Sequence, residues 1–158
     1  MTTTQQHYQR LLKPSEALVE DLKKIDGDII ILGAGGKMGP DLARLAKKAS
    51  TLSGKPRRII AVSRFTDAEA KESLESHGIE TISADLLIDD QLRNLPDAPN
   101  VIYMAGTKFG TTNNEHFTWA MNTYLAGKVG ERYKNSHIVV FSTGNVYPLT
   151  PVGSGGCT

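Results

Sequence analysis

The sequence predicts an α/β fold in which helices cover both faces of a doubly wound parallel sheet. Short apolar runs alternate with helical patterns along the chain, and such alternation is typical of parallel sheets. The apolar runs are nearly continuous, which suits strands that are buried on both faces. Right-handed crossovers between the strands favour the strand order 3-2-1-4-5. With 158 residues, 39% of them hydrophobic, the chain is long enough for one domain with a substantial core.

The elements of this sheet can be placed in order along the chain. A helix is predicted over residues 15–25, with Ser15 as its N-cap. A later helix is predicted to begin at a capping box formed by Thr66 and Glu69 and to end near Gly78. Further helical patterns begin at Met38 and cover residues 91–95 and about 115–134. The predicted strands cover residues 29–32, 59–62, 79–83, 101–104 and 138–142. We therefore expect an N-terminal segment with a helix (1–27), the α/β domain (28–147) and a loop-like tail (148–158).

Charge and cysteine content exclude several classes of protein. The 18 basic and 17 acidic residues give a net charge of +1, which offers no electrostatic reason to expect a nucleic-acid or membrane partner. The one cysteine, Cys157, excludes an internal disulfide framework, and the 4 histidines lack the spacing of a metal site. The sequence shows no signal peptide and no apolar run of about 20 residues. We expect no metal and a cytoplasmic location.

The most specific motif is the glycine-rich turn after the first predicted strand. Gly33, Gly36 and Gly39 form a GxxGxxG pattern between that strand and a predicted helix. A P-loop is excluded because Ile31 and Met38 occupy positions that it requires to be Gly and Ser or Thr. Glycines here allow a tight turn and close approach of a phosphate, and the helix N-terminus attracts the anion. The pattern therefore predicts a diphosphate site, and the alternative is a tight turn without a ligand.

The end of the second predicted strand indicates which dinucleotide would bind. An NAD enzyme usually carries an acidic residue there for the ribose 2′-hydroxyl, but this chain has Ser63 and Arg64. A guanidinium can hold a phosphate through two parallel hydrogen bonds, and Lys37 would add a second positive charge. The sequence therefore favours NADP over NAD. The alternative is that Arg64 is a solvated surface residue.

Four segments in this order carry a resemblance to a known family. They are residues 32–39 (LGAGGKMG), 84–86 (ADL), 103–106 (YMAG) and 142–147 (STGNVY). The chain resembles the N-terminal, Rossmann-like part of an NAD(P)-dependent epimerase/dehydratase of the extended short-chain dehydrogenase/reductase family. The resemblance implies that the glycine loop, including Lys37 and Met38, binds the cofactor. The chain departs from the family's pattern at two positions: it has Leu32 where the family usually has Thr, and Pro148 where the family often has Gly.

The resemblance also implies roles for residues at the later strand ends. Asp85 and Leu86 would line the adenine, while Ala105 and Gly106 would lie along the phosphates and the nicotinamide ribose. Asn122 matches an asparagine that supports the site. Other readings stay open: Asp85 as a cap or turn residue, the two small residues as a bend, and Asn122 as an exposed helix position.

The resemblance further implies an enzyme that acts by hydride transfer. Thr143, with Ser142 beside it, would hydrogen-bond the reacting oxygen of the substrate, although a strand-end hydroxyl that caps a loop is the alternative. The family's Tyr-x-x-x-Lys pair does not follow Thr143, and a substrate domain is missing, so we expect little turnover from these residues alone. Tyr124 and Lys128 have the pair's spacing but lie before the fifth strand. We interpret them as a coincidence, with Tyr124 in packing and Lys128 solvated.

The function that follows is the cofactor-binding part of an NAD(P)-dependent oxidoreductase, epimerase or dehydratase. Its substrate would be a nucleotide sugar or a related carbinol or carbonyl compound, and the family's dimers leave a homodimer open. One alternative is a non-catalytic module that binds NADP and reports redox state to a partner protein. Another is a Rossmann-like fold whose crevice binds no ligand.

Overall fold

The computed structural model describes residues 3–107, 112–143 and 148–156. Its strands are β1 (Ile29–Leu32), β2 (Ile59–Ser63), β3 (Glu80–Ser83), β4 (Asn100–Tyr103) and β5 (His137–Val140). Its helices are α1 (Thr3–Leu11), α2 (Glu16–Lys24), α3 (Gly39–Leu52), α4 (Ala68–Glu75), α5 (Asp89–Arg93), α6 (Glu115–Trp119) and α7 (Leu125–Arg132). A π-helical turn (Ala120–Tyr124) joins α6 to α7, and a 3₁₀ turn covers Val152–Ser154.

The five strands form one parallel sheet in the order β3-β2-β1-β4-β5. In its register, Ile31 of β1 lies between Ala61 of β2 and Ile102 of β4. The predicted fold class and strand order are therefore confirmed. The order reverses at β1, because the chain runs outward through β2 and β3 and then returns to the other side of β1. Ligands of open α/β sheets bind at such a reversal.

Two apolar layers hold the helices on the sheet. On one face, Ile30 and Leu32 of β1 pack with Leu125 and Val129 of α7. On the other face, Ile29 and Ile31 belong to the cluster that holds α2, α3 and α4. All residues of β1 are buried, as expected for a central strand. At the sheet edge, by contrast, Val139 and Val140 of β5 are 60% and 56% exposed.

Two helix starts show how capping acts in this chain. Ser15 caps α2 as predicted, since its side chain accepts a hydrogen bond from Leu18 N. The predicted capping box at Thr66 is wrong. Asp67 caps α4 instead, and its carboxylate accepts from Glu69 N and Ala70 N. This carboxylate thus satisfies two of the amides that the first turn of a helix leaves without intrahelical partners.

The sequence pattern missed two helical features. The first is α1, which precedes the helix predicted at 15–25 and extends the ordered N-terminal segment. The second is the π-helical turn Ala120–Tyr124, which interrupts the helix predicted over 115–134. π-helical turns recur at functional sites. In the ranges that the structure describes, no helix combines the length and apolar character needed to cross a membrane.

Candidate functional site

A cavity of about 290 Å³ lies at the carboxyl edge of the sheet. The segments that line it follow β3, β2, β1 and β4, four neighbouring strands, so the cavity extends over three inter-strand spacings of about 4.8 Å each. It therefore crosses the position where the strand order reverses. The lining residues are Gly33, Gly35, Gly36, 63–67, Ala70, 84–87, 104–106, Phe117 and Met121.

The three predicted glycines have different structural roles in the loop between β1 and α3. Gly33 has φ +94°, and a Cβ added there would lie 2.6 Å from Ala105 N. Gly39 packs α3 against the loop, since its Cβ would lie 2.5 Å from the carbonyl carbon of Ala34. Gly36 lines the cavity, and the nearest atom to its Cβ would be Gly33 O at 3.7 Å. Folding thus requires glycine at the first and third positions, whereas Gly36 has room for a side chain.

The rest of the loop is arranged around these glycines. Lys37 and Met38 are exposed at the turn, and Gly39 is buried beneath it. None of these three residues is among the described residues that line the cavity. Gly35 was missed as a site residue, although it lines the cavity. A Cβ at Gly35 would lie 2.9 Å from the Ser63 Cβ, so Gly35 leaves space for a neighbouring strand end rather than for a ligand.

The segment after β2 lines the cavity between the segments that follow β3 and β1. Ser63 is half-buried and Arg64 is exposed, and both line the cavity, while their binding of a cofactor stays a prediction. Phe65 follows with φ +44°, a left-handed conformation that a bulky side chain rarely adopts. Strain of this kind concentrates at functional sites. The sequence could not have indicated Phe65, because nothing in a phenylalanine signals a positive φ.

The segment after β3 continues the wall. Asp85 and Leu86, which the resemblance assigns to the adenine, both line the cavity. Asp85 also makes a turn, because its Oδ1 accepts a hydrogen bond from Leu87 N at 3.0 Å, while Asp85 N donates to Gln91 Oε1 at 2.7 Å. The turn and the wall are therefore compatible roles of the same carboxylate.

Met104, Ala105 and Gly106 form the opposite end, with Phe117 and Met121. Asn122, in the π-helical turn, does not line the cavity but holds the backbone that follows Gly106. Its Oδ1 accepts from Thr107 N at 2.8 Å, and its Nδ2 donates to Thr107 O at 2.9 Å. A Cβ at Gly106 would lie 3.2 Å from Asn122 Oδ1. Asn122 is therefore paired with the loop backbone, and its side chain positions the residues that line the cavity.

The predicted catalytic hydroxyls lie at the end of β5. Ser142 and Thr143 are exposed, and neither is among the described residues that line the cavity. The remainder of the motif, 144–147, lies outside the described residues. The role of both hydroxyls therefore stays a prediction.

Tyr124 and Lys128 differ from the environments expected for them. Lys128 is not solvated: its side chain is 16% exposed, and its ammonium donates to Asp89 and, at 3.2 Å, to Leu87 O. Tyr124 is 61% exposed rather than packed, and the Lys128 Nζ lies 5.5 Å from its ring centroid. Lys128 thus ties α7 to the start of α5. In the described part of the chain, no group of three or more metal-binding side chains converges.

Comparison with solved structures places this fold among known proteins. Its structure matches an ADP-L-glycero-D-manno-heptose-6-epimerase from Helicobacter pylori with a TM-score of 0.64 and 18% sequence identity. The match covers 87% of this chain and 46% of the epimerase, so the chain spans less than half the length of that relative. This chain has the Rossmann-like fold of that epimerase. A second match is a short-chain dehydrogenase/reductase superfamily protein from Agrobacterium tumefaciens with bound NAD. Its TM-score is 0.47 at 18% sequence identity, and the match covers 77% of this chain and 34% of that protein. No family model and no curated protein matches the sequence.

Proposed function

We propose that this chain binds a nicotinamide dinucleotide and forms the cofactor-binding part of an NAD(P)-dependent oxidoreductase, epimerase or dehydratase. The observation that carries the proposal is Gly36, a glycine that the fold itself does not need and that lines the cavity beside the start of α3. A bare backbone at a helix N-terminus is what a diphosphate requires, since the amides and the helix dipole attract its charge. The open space at Gly36, on the cavity wall, thus suits the diphosphate of the cofactor.

NADP is the dinucleotide that we propose for this cavity. Arg64 supplies a guanidinium, Ser63 and Thr66 supply hydroxyls, and all three line the cavity beside the end of β2. A 2′-phosphate matches that set through charge-assisted hydrogen bonds. The carboxylate of Asp67 lies at the same end, but it accepts hydrogen bonds from two amides of α4, which reduces its repulsion of an anion.

The remaining predicted residues take complementary roles in this proposal. Asp85 and Leu86 hold the adenine, and Ala105 and Gly106 lie along the cofactor, while Asn122 keeps that bend in place. When bound, the nicotinamide supplies hydride transfer. Thr143, with Ser142 beside it, donates a hydrogen bond to the reacting oxygen of the substrate.

The proposed substrate is a nucleotide sugar or a related carbinol or carbonyl compound. The name of the Helicobacter pylori neighbour, which shares the fold, contains such a sugar. Since residues 144–158 contain no Tyr-x-x-x-Lys pair, we expect residues 1–158 by themselves to bind cofactor with little or no turnover. Robust reduction of NADP⁺ by these residues with a carbinol substrate would contradict this part of the proposal.

A non-catalytic module that binds NADP is the second candidate function. It is favoured by the position of Ser142 and Thr143 outside the cavity lining. The two candidates differ in whether Thr143 matters in the complete protein. Replacement Thr143→Ala abolishes turnover if the chain belongs to an enzyme, and it leaves NADP affinity and signalling unchanged if the chain is a sensor.

Titration calorimetry with NADP⁺ and NAD⁺ tests the cofactor assignment. Replacement Arg64→Ala removes the charge-assisted bonds to a 2′-phosphate, so we expect NADP⁺ affinity to fall about 10- to 100-fold and NAD⁺ affinity to stay unchanged. The matched control is Arg93→Ala, which removes an exposed arginine of α5 that pairs with Asp90 outside the cavity. Equal NADP⁺ affinity in the wild-type chain and the Arg64→Ala variant would refute the NADP assignment.

A further inference from the structure

The first turn of α3, the helix whose N-terminus we propose to attract the diphosphate, carries a negative charge. Asp41 is the third residue of α3, two positions after Gly39. An acidic residue in the first turn stabilises a helix through its dipole. In this helix, however, the same N-terminus must attract a ligand that is itself an anion. The Asp41 carboxylate therefore opposes the diphosphate that we propose for this helix.

Two side chains from different elements hold the Asp41 carboxylate. Arg44 Nη1 donates to Asp41 Oδ1 at 3.2 Å, and the two side chains are 24% and 22% exposed, so solvent screens this pair less than an open surface pair. The Tyr8 hydroxyl donates to the second oxygen, Oδ2. The same hydrogen bond to Asp41 is the main reason that the pKa of Tyr8 is raised. Arg44 also reaches Ser73 of α4 at 2.8 Å, which fixes the guanidinium in place.

Tyr8 belongs to α1, which lies outside the predicted α/β domain, and Tyr8 itself does not line the cavity. We infer that Tyr8 and Arg44 offset the charge of Asp41, so that α1 sets the affinity of the α3 N-terminus for the diphosphate. This inference rests on the proposed dinucleotide binding. Tyr8 is a positioning residue in this scheme, because it acts on the ligand only through Asp41.

The effect of Tyr8→Phe on NADP⁺ affinity should depend on whether Asp41 keeps its charge. Replacement Asp41→Asn removes the opposing charge and tightens NADP⁺ binding about twofold to fivefold, the effect of one charge in a first helical turn. Replacement Tyr8→Phe leaves the carboxylate less compensated and weakens binding about twofold to threefold. In the Asp41→Asn background, Tyr8→Phe has no further effect, since the charge on which it acts is gone.

The experiment is a titration of NADP⁺, ADP and adenosine into the wild-type chain, both single variants and the double variant, at low and high salt. The expected differences appear with NADP⁺ and ADP, shrink at high salt, and vanish with uncharged adenosine. Tyr124→Phe is the matched control, because it removes an exposed tyrosine hydroxyl from the π-helical turn Ala120–Tyr124, which belongs neither to α1 nor to α3. Thermal unfolding of every variant reports any change in stability.

The outcomes separate this inference from the function on which it rests. Equal NADP⁺ affinities in all four chains would overturn the inference and leave dinucleotide binding intact. Weakening by Tyr8→Phe that persists with Asp41→Asn, or that extends to adenosine, would show a structural role for α1 and would also overturn it. Absence of NADP⁺ binding by the wild-type chain would overturn the proposed function together with the inference.

Discussion

Replacement of Gly36 by alanine separates the needs of the ligand from the needs of the fold. A Cβ at Gly36 would meet only Gly33 O, at 3.7 Å, and the φ angle of Gly36 is outside the left-handed range. The variant should therefore fold with a free energy of unfolding close to that of the wild-type chain. Phosphate oxygens that accept from loop amides at about 2.9 Å would, however, come too close to the new methyl group.

The expected loss of affinity follows from the hydrogen bonds that the methyl group displaces. One charge-assisted hydrogen bond contributes about 1.5–3 kcal/mol, so losing one weakens NADP⁺ binding about 10- to 150-fold. Calorimetric titration measures this loss, and urea denaturation verifies the stability. The control is Gly130→Ala on α7, where a Cβ meets no atom within 4 Å. That change should raise stability by about 0.5–1 kcal/mol without altering affinity. Wild-type affinity in the Gly36→Ala variant would refute the diphosphate assignment.

Three further predictions concern the supports of the site and the core. Replacement Gly39→Ala forces a Cβ to within 2.5 Å of the Ala34 carbonyl carbon, so urea denaturation should show a loss of about 1–3 kcal/mol, and unchanged stability would contradict the packing. Replacement Asn122→Ala removes both hydrogen bonds to the backbone of Thr107, so amide hydrogen exchange at Thr107 should accelerate, and an unchanged rate would show that the bend holds itself. Burial raises the pKa of Tyr133 from 10.0 to about 12. The unfolded chain therefore releases this proton first, and the free energy of unfolding should fall by about 1.4 kcal/mol per pH unit from pH 10 to 12. The fall should be less steep in a Tyr133→Phe variant. Equal dependence on pH in the two chains would contradict the raised pKa of Tyr133.

The fold was readable from the sequence because its central strands are nearly pure apolar runs. The run at 29–32 is buried on both faces, and the run at 59–62 is buried in the same way, so composition alone marks them as central. The exposure of β5 was not readable from composition. Val139 and Val140 look like core residues in a sequence, and only their position at the sheet edge exposes them.

Residues of the candidate site were predictable where a local sequence motif marks them. They were missed where their place at the site depends on tertiary contacts. Gly33 and Gly36 announce a tight turn, and the structure brings them to the cavity together with Arg64 and Asp85. The π-helical turn that carries Asn122 has no sequence signal, and the contact of Asn122 with the backbone of Thr107 joins residues 15 positions apart in the chain. The contact between α1 and α3 was missed for the same reason.

The most direct test of dinucleotide binding is a map of backbone amide shifts by NMR as NADP⁺ is added, which suits a chain of 17.1 kDa. Our proposal predicts the largest shifts at Gly36, Arg64 and Gly106, with Gly130 on the far side of α7 as an unaffected reference. Saturable shifts at those three amides would support the cavity as the cofactor site. Absence of any shift, or shifts confined to residues outside the cavity, would contradict the central claim.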